Sequence, residues 1–264
     1  MVRLAKAQAR MRGRCGIESF NSMLIIPAID LRDGRCVRLA QGRRDATKVY
    51  KTDPVEVALS FEDDGAEMLH VVDLDGAFSE PNSRNRKVLQ KLIDTIGIPV
   101  QFGGGLRTTE DVFEAIDIGV HRVVIGTVAA ESPETFAEML AKFSSEIIVV
   151  GIDANRGQAA TRGWETEAEI DALTLARRVA AIGVERIIYT DIQRDGMLTG
   201  PNVEQTSLIA RETGLRVTAS GGVSSIDDLL KLKAVGETGV DSVIVGRALY
   251  ERRFTLREAL EAIE

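Results

Sequence analysis

Four short motifs recur in the same order about 120 residues apart, and this internal repeat constrains the fold more than any other feature of the chain. Ile29-Asp30 followed by Gly34 returns as Ile152-Asp153 followed by Gly157, the two aspartates 123 apart. Asp73-Leu74-Asp75-Gly76 returns as Asp191-Ile192-Gln193-Arg194-Asp195-Gly196, with the Asp-Gly pairs 120 apart. Phe102-Gly103-Gly104-Gly105-Leu106-Arg107 is echoed by Ser220-Gly221-Gly222-Val223-Ser224 at 117, and Ile125-Gly126-Thr127 by Val245-Gly246-Arg247 at 120. Self-similarity at nearly one offset means that a single supersecondary block is used twice.

The block is βα in character. Short β-branched runs at Leu24–Ile29, Leu69–Asp73, Ile98–Phe102, His121–Ile125, Ile147–Ile152, Arg186–Thr190, Arg216–Ala219 and Asp241–Val245 alternate with segments of helical period, such as Val55–Asp63, Asp111–Ile118 and Thr174–Ala181. Thr52-Asp53-Pro54 and Ser132-Pro133-Glu134 are good helix starts, with proline early in the first turn. Eight such units predict a parallel sheet, either open and doubly wound or closed. The repeat decides between them. Four units followed by four copies fit an α/β fold of the (β/α)8 TIM-barrel type with a half-barrel duplication, and not a dinucleotide-binding fold.

The 264 residues are 44% apolar and 28% charged, a globular profile, and a chain of this length needs no disulfide or structural metal to fold. Cys15 and Cys36 make neither a disulfide framework nor a metal-ligand spacing, which points to a reducing, cytoplasmic compartment. The longest apolar stretch, Ile147 to Ile152, is far short of a membrane span. A net charge of −7 argues against a nucleic-acid partner. Residues 1–22 differ from the rest: Arg3, Lys6, Arg10, Arg12 and Arg14 against Glu18 give +4 there. Without an apolar core this is no secretory signal, and it reads as a basic, disordered extension ahead of a barrel over 23–264.

In a parallel barrel the active site lies at the C-terminal ends of the strands, where every repeated motif falls. Gly103, Gly104, Gly105, Gly221 and Gly222 can take positive φ and let an anion approach backbone N–H groups, with a helix N-terminus after each turn adding positive potential. Gly126-Thr127 and Gly246-Arg247 supply neighbouring donors, so two phosphate sites are expected on opposite sides of the mouth. Asp30 and Asp153 end facing strands and suit an acid and a base working on opposite faces of a substrate. Asp73, Asp75 and Asp191 suit loop capping equally well. His70 inside a strand and His121 at the start of one read as structural. With no metal-ligand cluster and no nicotinamide or flavin fingerprint, acid–base chemistry without metal or cofactor is what remains.

The motifs IPAIDLRDGRCVRL, HVVDLDGAF, QFGGGLR, GIDANRG, YTDIQRDGMLTGPN, ASGGVSS and VGRALYERRFTL, read from Met23 onward, resemble the histidine-biosynthesis isomerase family that acts on phosphoribosylformimino-5-aminoimidazole carboxamide ribotide (ProFAR). The sister cyclase subunit of imidazole glycerol phosphate synthase shares the duplication but usually has Cys-Leu-Asp where this chain has Ala28-Ile29-Asp30. The resemblance implies an intramolecular oxidoreductase, an aldose–ketose isomerase. Its Amadori rearrangement takes the bisphosphate aminoaldose ProFAR to the aminoketose PRFAR, without a cofactor. It implies Asp30 as base, either Asp153 or Asp195 as acid, and Thr190 as an orienting hydrogen-bond partner. An acid that stays protonated near neutral pH needs a pKa raised by about two to three units from ~3.9. Arg38, Arg162 and Trp164 resemble positions of relatives that also isomerise phosphoribosylanthranilate, which leaves a bifunctional enzyme as an alternative. Nothing in the sequence demands a protein partner, and a monomer is expected.

Overall fold

The structure, a computed structural model, describes residues 23–40, 43–49, 53–80 and 83–264. Its strands are β1 (Leu24–Arg32), β2 (Arg35–Ala40), β3 (Arg43–Val49), β4 (Leu69–Asp73), β5 (Val100–Gly103), β6 (Arg122–Ile125), β7 (Ile148–Asn155), β8 (Gln158–Thr161), β9 (Thr166–Asp171), β10 (Arg186–Asp191), β11 (Arg216–Ser220) and β12 (Val240–Val245). Eight of them pair in parallel in the order β1-β4-β5-β6-β7-β10-β11-β12, and β12 returns to β1 with Leu24 opposite Ser242. The seams between the halves are β12 against β1 and β6 against β7, the latter with Val124 opposite Val149. The result is the closed (β/α)8 barrel that the repeat predicts.

The other four strands were not evident from periodicity. β2–β3 and β8–β9 are antiparallel hairpins that leave the barrel after β1 and after β7. Their registers repeat as well: Asp30 pairs with Val37 and Asp153 with Ala160, and residues 37 and 160 stand 123 apart, as 30 and 153 do. β1 and β7 therefore run on to Arg32 and Asn155 instead of stopping at Ile29 and Ile152, because each continues into its hairpin.

Strand residues alternate between two environments, as a pleat of period two requires. Ile25, Ile29 and Leu31 of β1 join the large core between barrel and helices, which also holds Leu89, Leu92, Phe102, Phe136 and Phe143. Ile26 and Ala28 face the other way and form a small interior cluster with Met68, Val149, Ile188 and Ile244. Further buried strand positions are polar, and their groups are largely paired with one another, although Gln101 Oε1 has no partner among the described residues. Thr218 Oγ1 lies 2.7 Å from Ser242 Oγ, and Arg186 Nη1 donates to that same hydroxyl at 3.1 Å.

Local chemistry sets the helix boundaries. Helix Pro54–Asp63 starts on Asp53, whose side chain accepts from Val55 N, with Pro54 in the first turn. Helix Thr109–Ile118 starts on a reciprocal cap between Thr108 and Asp111 and stops at Gly119 with φ 109°. Each such cap is worth about 1 kcal/mol. Among the described residues no helix is long and apolar enough to cross a membrane.

Candidate active site

A cavity of about 260 Å³ opens at the C-terminal ends of the barrel strands. Asp30, Asp153, Asp195, Gly103, Gly104, Gly105, Gly126, Thr127, Arg162, Trp164, Thr190, Gly221, Gly222, Gly246 and Arg247 all line it. The sequence spread these residues over more than 200 positions, and the barrel gathers them at one mouth. Arg38 falls on β2, and its side chain lies outside the described residues, as do Cys15 and the whole of residues 1–22.

Two loops built around glycine frame the cavity. Gly104 has φ 103°, and a Cβ there would stand 2.1 Å from the Asp73 carbonyl oxygen. Gly222 has φ 91°, and its Cβ would stand 2.3 Å from the Gly200 oxygen. Both turns need glycine for backbone packing alone, before any ligand is considered. The helices that follow these turns are capped by their own side chains: Thr108 accepts from Asp111 N, and Ser225 from Asp228 N. A helix follows each glycine turn, and its own cap takes up one of the first N–H groups there. Two starts without a side-chain cap lie at the cavity behind β6 and β12, at Gly126 (φ −106°, ψ −81°) and Gly246 (φ −110°, ψ −96°). These two glycines share one backbone conformation and open the short helices Thr127–Glu131 and Arg247–Tyr250.

The carboxyls fall into two groups. Asp73, Asp75 and Asp191 tie loops together. Asp73 accepts from Gly76 N at 3.0 Å and from Asn85 Nδ2 at 2.6 Å. Asp75 accepts from Asp33 N at 2.8 Å, and Asp191 from Asn202 Nδ2 at 2.8 Å. Asp30 and Asp153 stand on β1 and β7, on opposite sides of the barrel, where each strand departs into its hairpin. Desolvation raises the pKa of Asp153, while hydrogen bonds from Thr190 and Trp164 pull it down. The Trp164 bond is short, with Nε1 2.7 Å from Oδ2. Asp195 sits on the loop after β10; its N–H donates to the Asp191 carbonyl at 3.0 Å, and Arg247 donates to the Gly196 carbonyl beside it.

Other lining residues fall within the quoted motifs but are not among the expected site residues. Arg107 donates to the Ala77 carbonyl at 3.2 Å and to Ser79 Oγ at 3.0 Å. Phe78 and Leu198 add apolar wall. His70 also lines the cavity, its Nδ1 3.1 Å from Gln101 Nε2, so the histidine read as structural belongs to the site's floor. His121 donates its backbone N–H to Val100 and does not line the cavity. The Arg162 guanidinium forks onto Glu131 at the cavity rim, with Nη2 2.9 Å from Oε2. Among the described residues no three His, Cys, Asp or Glu side chains converge as a metal site.

A sequence model described as "Histidine biosynthesis protein" matches residues 24–255. The chain belongs to that family. Within it, the chain is 50% identical over 238 residues to a protein of Moorella thermoacetica, covering 90% of this chain and 97% of that one. It is 49% identical to one of Prosthecochloris aestuarii, over 89% of this chain and 90% of that one. With one of Crocosphaera subtropica it shares 48% identity, over 91% and 93%. All three relatives are named 1-(5-phosphoribosyl)-5-((5-phosphoribosylamino)methylideneamino)imidazole-4-carboxamide isomerase. The family match spans both half-barrels, and so includes every cavity residue described above.

Proposed function

We infer that the protein is the aldose–ketose isomerase of histidine biosynthesis, converting ProFAR to PRFAR. One observation supports this most directly. Two carboxyls, Asp30 and Asp153, face each other across a cavity whose flanks repeat the same glycine-built loops. A substrate with a phosphate at each end matches that two-sided mouth, with Gly103–Gly105, Gly126 and Thr127 holding one phosphate and Gly221, Gly222, Gly246 and Arg247 the other. Those backbone donors suit anions, and the reacting ribose then spans the space between the carboxyls.

The chemistry divides between two residues. Asp153 is the acid. Burial favours its protonated form, so it can give a proton to the ribose ring oxygen as the C1′–O bond breaks and C1′ becomes an iminium carbon. Thr190 and Trp164 orient the carboxyl for this transfer. Asp30 is the base. It removes the C2′ proton, the C–H electron pair forms the C1′–C2′ double bond, and the iminium nitrogen accepts the displaced π electrons. The resulting enolamine regains a proton at C1′ as the C2′ hydroxyl becomes a carbonyl. Protons and electrons balance within the substrate and two carboxyls. Asp195 covers the ring from the loop after β10 and contacts substrate there.

The same reading takes the protein as a cytoplasmic monomer with no nucleic-acid partner, in keeping with its net charge of −7, and residues 1–22 as an extension outside the barrel. The direct test follows the ultraviolet spectrum of ProFAR incubated with the purified protein alone. Conversion without ammonia or a glutaminase is expected. A spectrum that stays unchanged, or changes only when ammonia is supplied, overturns the assignment.

A further inference from the structure

The turn joining β8 to β9 holds three consecutive residues in the left-handed region: Arg162 (φ 56°), Gly163 (φ 67°) and Trp164 (φ 70°). For the two non-glycine residues this conformation costs roughly 1 kcal/mol or more each, and it persists only where surrounding contacts impose it. Those contacts converge on one short helix. Arg162 N donates to Thr127 Oγ1 at 3.0 Å. Its guanidinium meets Glu131 through Nη2 at 2.9 Å and Nε at 3.1 Å, and Thr161 Oγ1 donates to the same carboxylate at 2.7 Å. Gly163 passes so close to Phe78 that a Cβ would stand 2.7 Å from the ring. Glu131 thus accepts from two successive residues of the turn, and these hydrogen bonds, Arg162's above all, hold its carboxyl below the usual range and keep it charged. An isolated ion pair on an exposed surface contributes little, but a forked one with a second donor fixes geometry.

On the other side of the turn, Trp164 aims its single donor at Asp153 Oδ2, 2.7 Å away. Indole N–H is rigid and has one direction, so the backbone at Trp164 decides whether the bond forms. We propose that Glu131 is a positioning residue for the reaction: by clamping Thr161 and Arg162 it holds the strained turn that keeps the Trp164 indole on Asp153. This rests on the reading of Asp153 as the acid. The titratable and charged side chains sharing the cavity with Asp153 are Asp30, His70, Arg107, Arg162, Asp195 and Arg247. None of them outweighs desolvation and the Thr190 and Trp164 hydrogen bonds in setting its pKa.

Trp164 is the sole tryptophan of the chain, so its fluorescence reports the turn without any substrate. In Glu131→Gln and in Arg162→Met, the second altered at an exposed side chain, emission should shift to the red and acrylamide quenching should rise. Turnover should fall about tenfold, the scale expected when a reacting group is displaced by a fraction of an ångström. Losing the indole bond removes a contact that favours ionised Asp153, so the alkaline limb of the kcat profile should move to higher pH. Trp164→Phe should move it alike, and the Glu131→Gln/Trp164→Phe double variant no further, since both act through one hydrogen bond. Unchanged fluorescence, an unmoved limb, or additive shifts would each overturn the proposal. Asp153→Asn separates the two levels. If that variant keeps its alkaline limb, the acid assignment fails on its own, and the clamp stands or falls by the fluorescence.

Discussion

The helices Thr127–Glu131 and Arg247–Tyr250 are one element built twice, yet they use their glutamates differently. The offset of 120 that relates Gly126 to Gly246 also relates Glu131 to Glu251. Glu251 lies 3.9 Å from the Nε of Arg247, four residues back. Glu131 has Thr127 where its twin has Arg247, and it reaches instead to Arg162 on the hairpin that leaves β7. The second half thus keeps a cation beside Gly246, while the first half has Thr127 beside Gly126 and carries Arg107 on the loop after β5. Duplication conserves backbone, since glycine conformations and hairpin registers recur almost unchanged. Chemistry comes from where the side chains diverge: a symmetric mouth cannot distinguish acid from base.

That contrast predicts unequal consequences for the two equivalent aspartates. Asp30→Asn should fold normally and lose about 10²–10⁴ in kcat, the usual worth of a general base. Asp153→Asn should lose comparable activity together with the alkaline limb of the kcat profile, while Asp195→Asn should retain that limb. Steady-state rates of the three variants over a broad pH range decide the matter. If Asp195→Asn is the variant that loses the limb, the two halves have divided the labour differently from the assignment above.

Repetition also separates glycines that packing demands from those it does not. Gly104→Ala and Gly222→Ala each drive a Cβ into a neighbouring carbonyl at 2.1 and 2.3 Å. Gly157→Ala has φ 85° with nothing within 4 Å, so it meets backbone strain alone. Gly157→Ala should cost about 1 kcal/mol. The other two should cost at least about 3 kcal/mol, because the adjoining loop must also move. Urea unfolding midpoints rank them, and equal losses at all three would mean that the loops yield without resistance.

The sequence revealed the architecture wherever residues were apolar and periodic. All eight barrel strands were legible because β-branched runs such as Ile147 to Ile152 are required by two-sided burial. The two hairpins were not. Arg35–Ala40 and Thr166–Asp171 are held by backbone pairing outside the barrel; the first is of mixed polarity, and the second alternates only Ala168 and Ile170 with acidic residues, too short a run to stand out. The repeat brought out Asp30, Asp153 and the glycines, since each half confirms the other. Glu131 escaped notice although the same offset pairs it with Glu251, because its role depends on a turn from the opposite half. Arg162 was visible as a possible cation for a ligand; only the fold shows its charge taken up by Glu131.

The smallest expected effect compares the duplicated caps with the unlike carboxyl. Asp111 Oδ2 accepts from Arg107 N at 2.9 Å and Thr108 N at 2.8 Å. Its repeat partner Asp228 accepts from Ser224 N at 3.0 Å. Both have depressed pKa values: burial opposes this, but the hydrogen bonds prevail. A carboxyl ionised more readily in the folded state contributes stability above its unfolded value, near 3.8, and that contribution disappears as pH falls through the lower folded value. Asp153 has the opposite sign. Its pKa is raised by desolvation, so its contribution is present below about 3.8 and is lost as pH rises through the folded value. At pH 7, Asp111→Asn and Asp228→Asn should each lower stability by about 1 kcal/mol, the ordinary worth of a cap, and the deficit should shrink in acid. Asp153→Asn should raise stability at pH 7, because an amide, uncharged in both states, escapes the cost of burying the ionised carboxyl or of protonating it on folding. Melting temperatures of the three variants across pH 3 to 8 test the signs directly. A destabilised Asp153→Asn at neutral pH would mean that the bonds from Trp164 and Thr190 outweigh burial, and would remove the electrostatic argument for Asp153 as the acid.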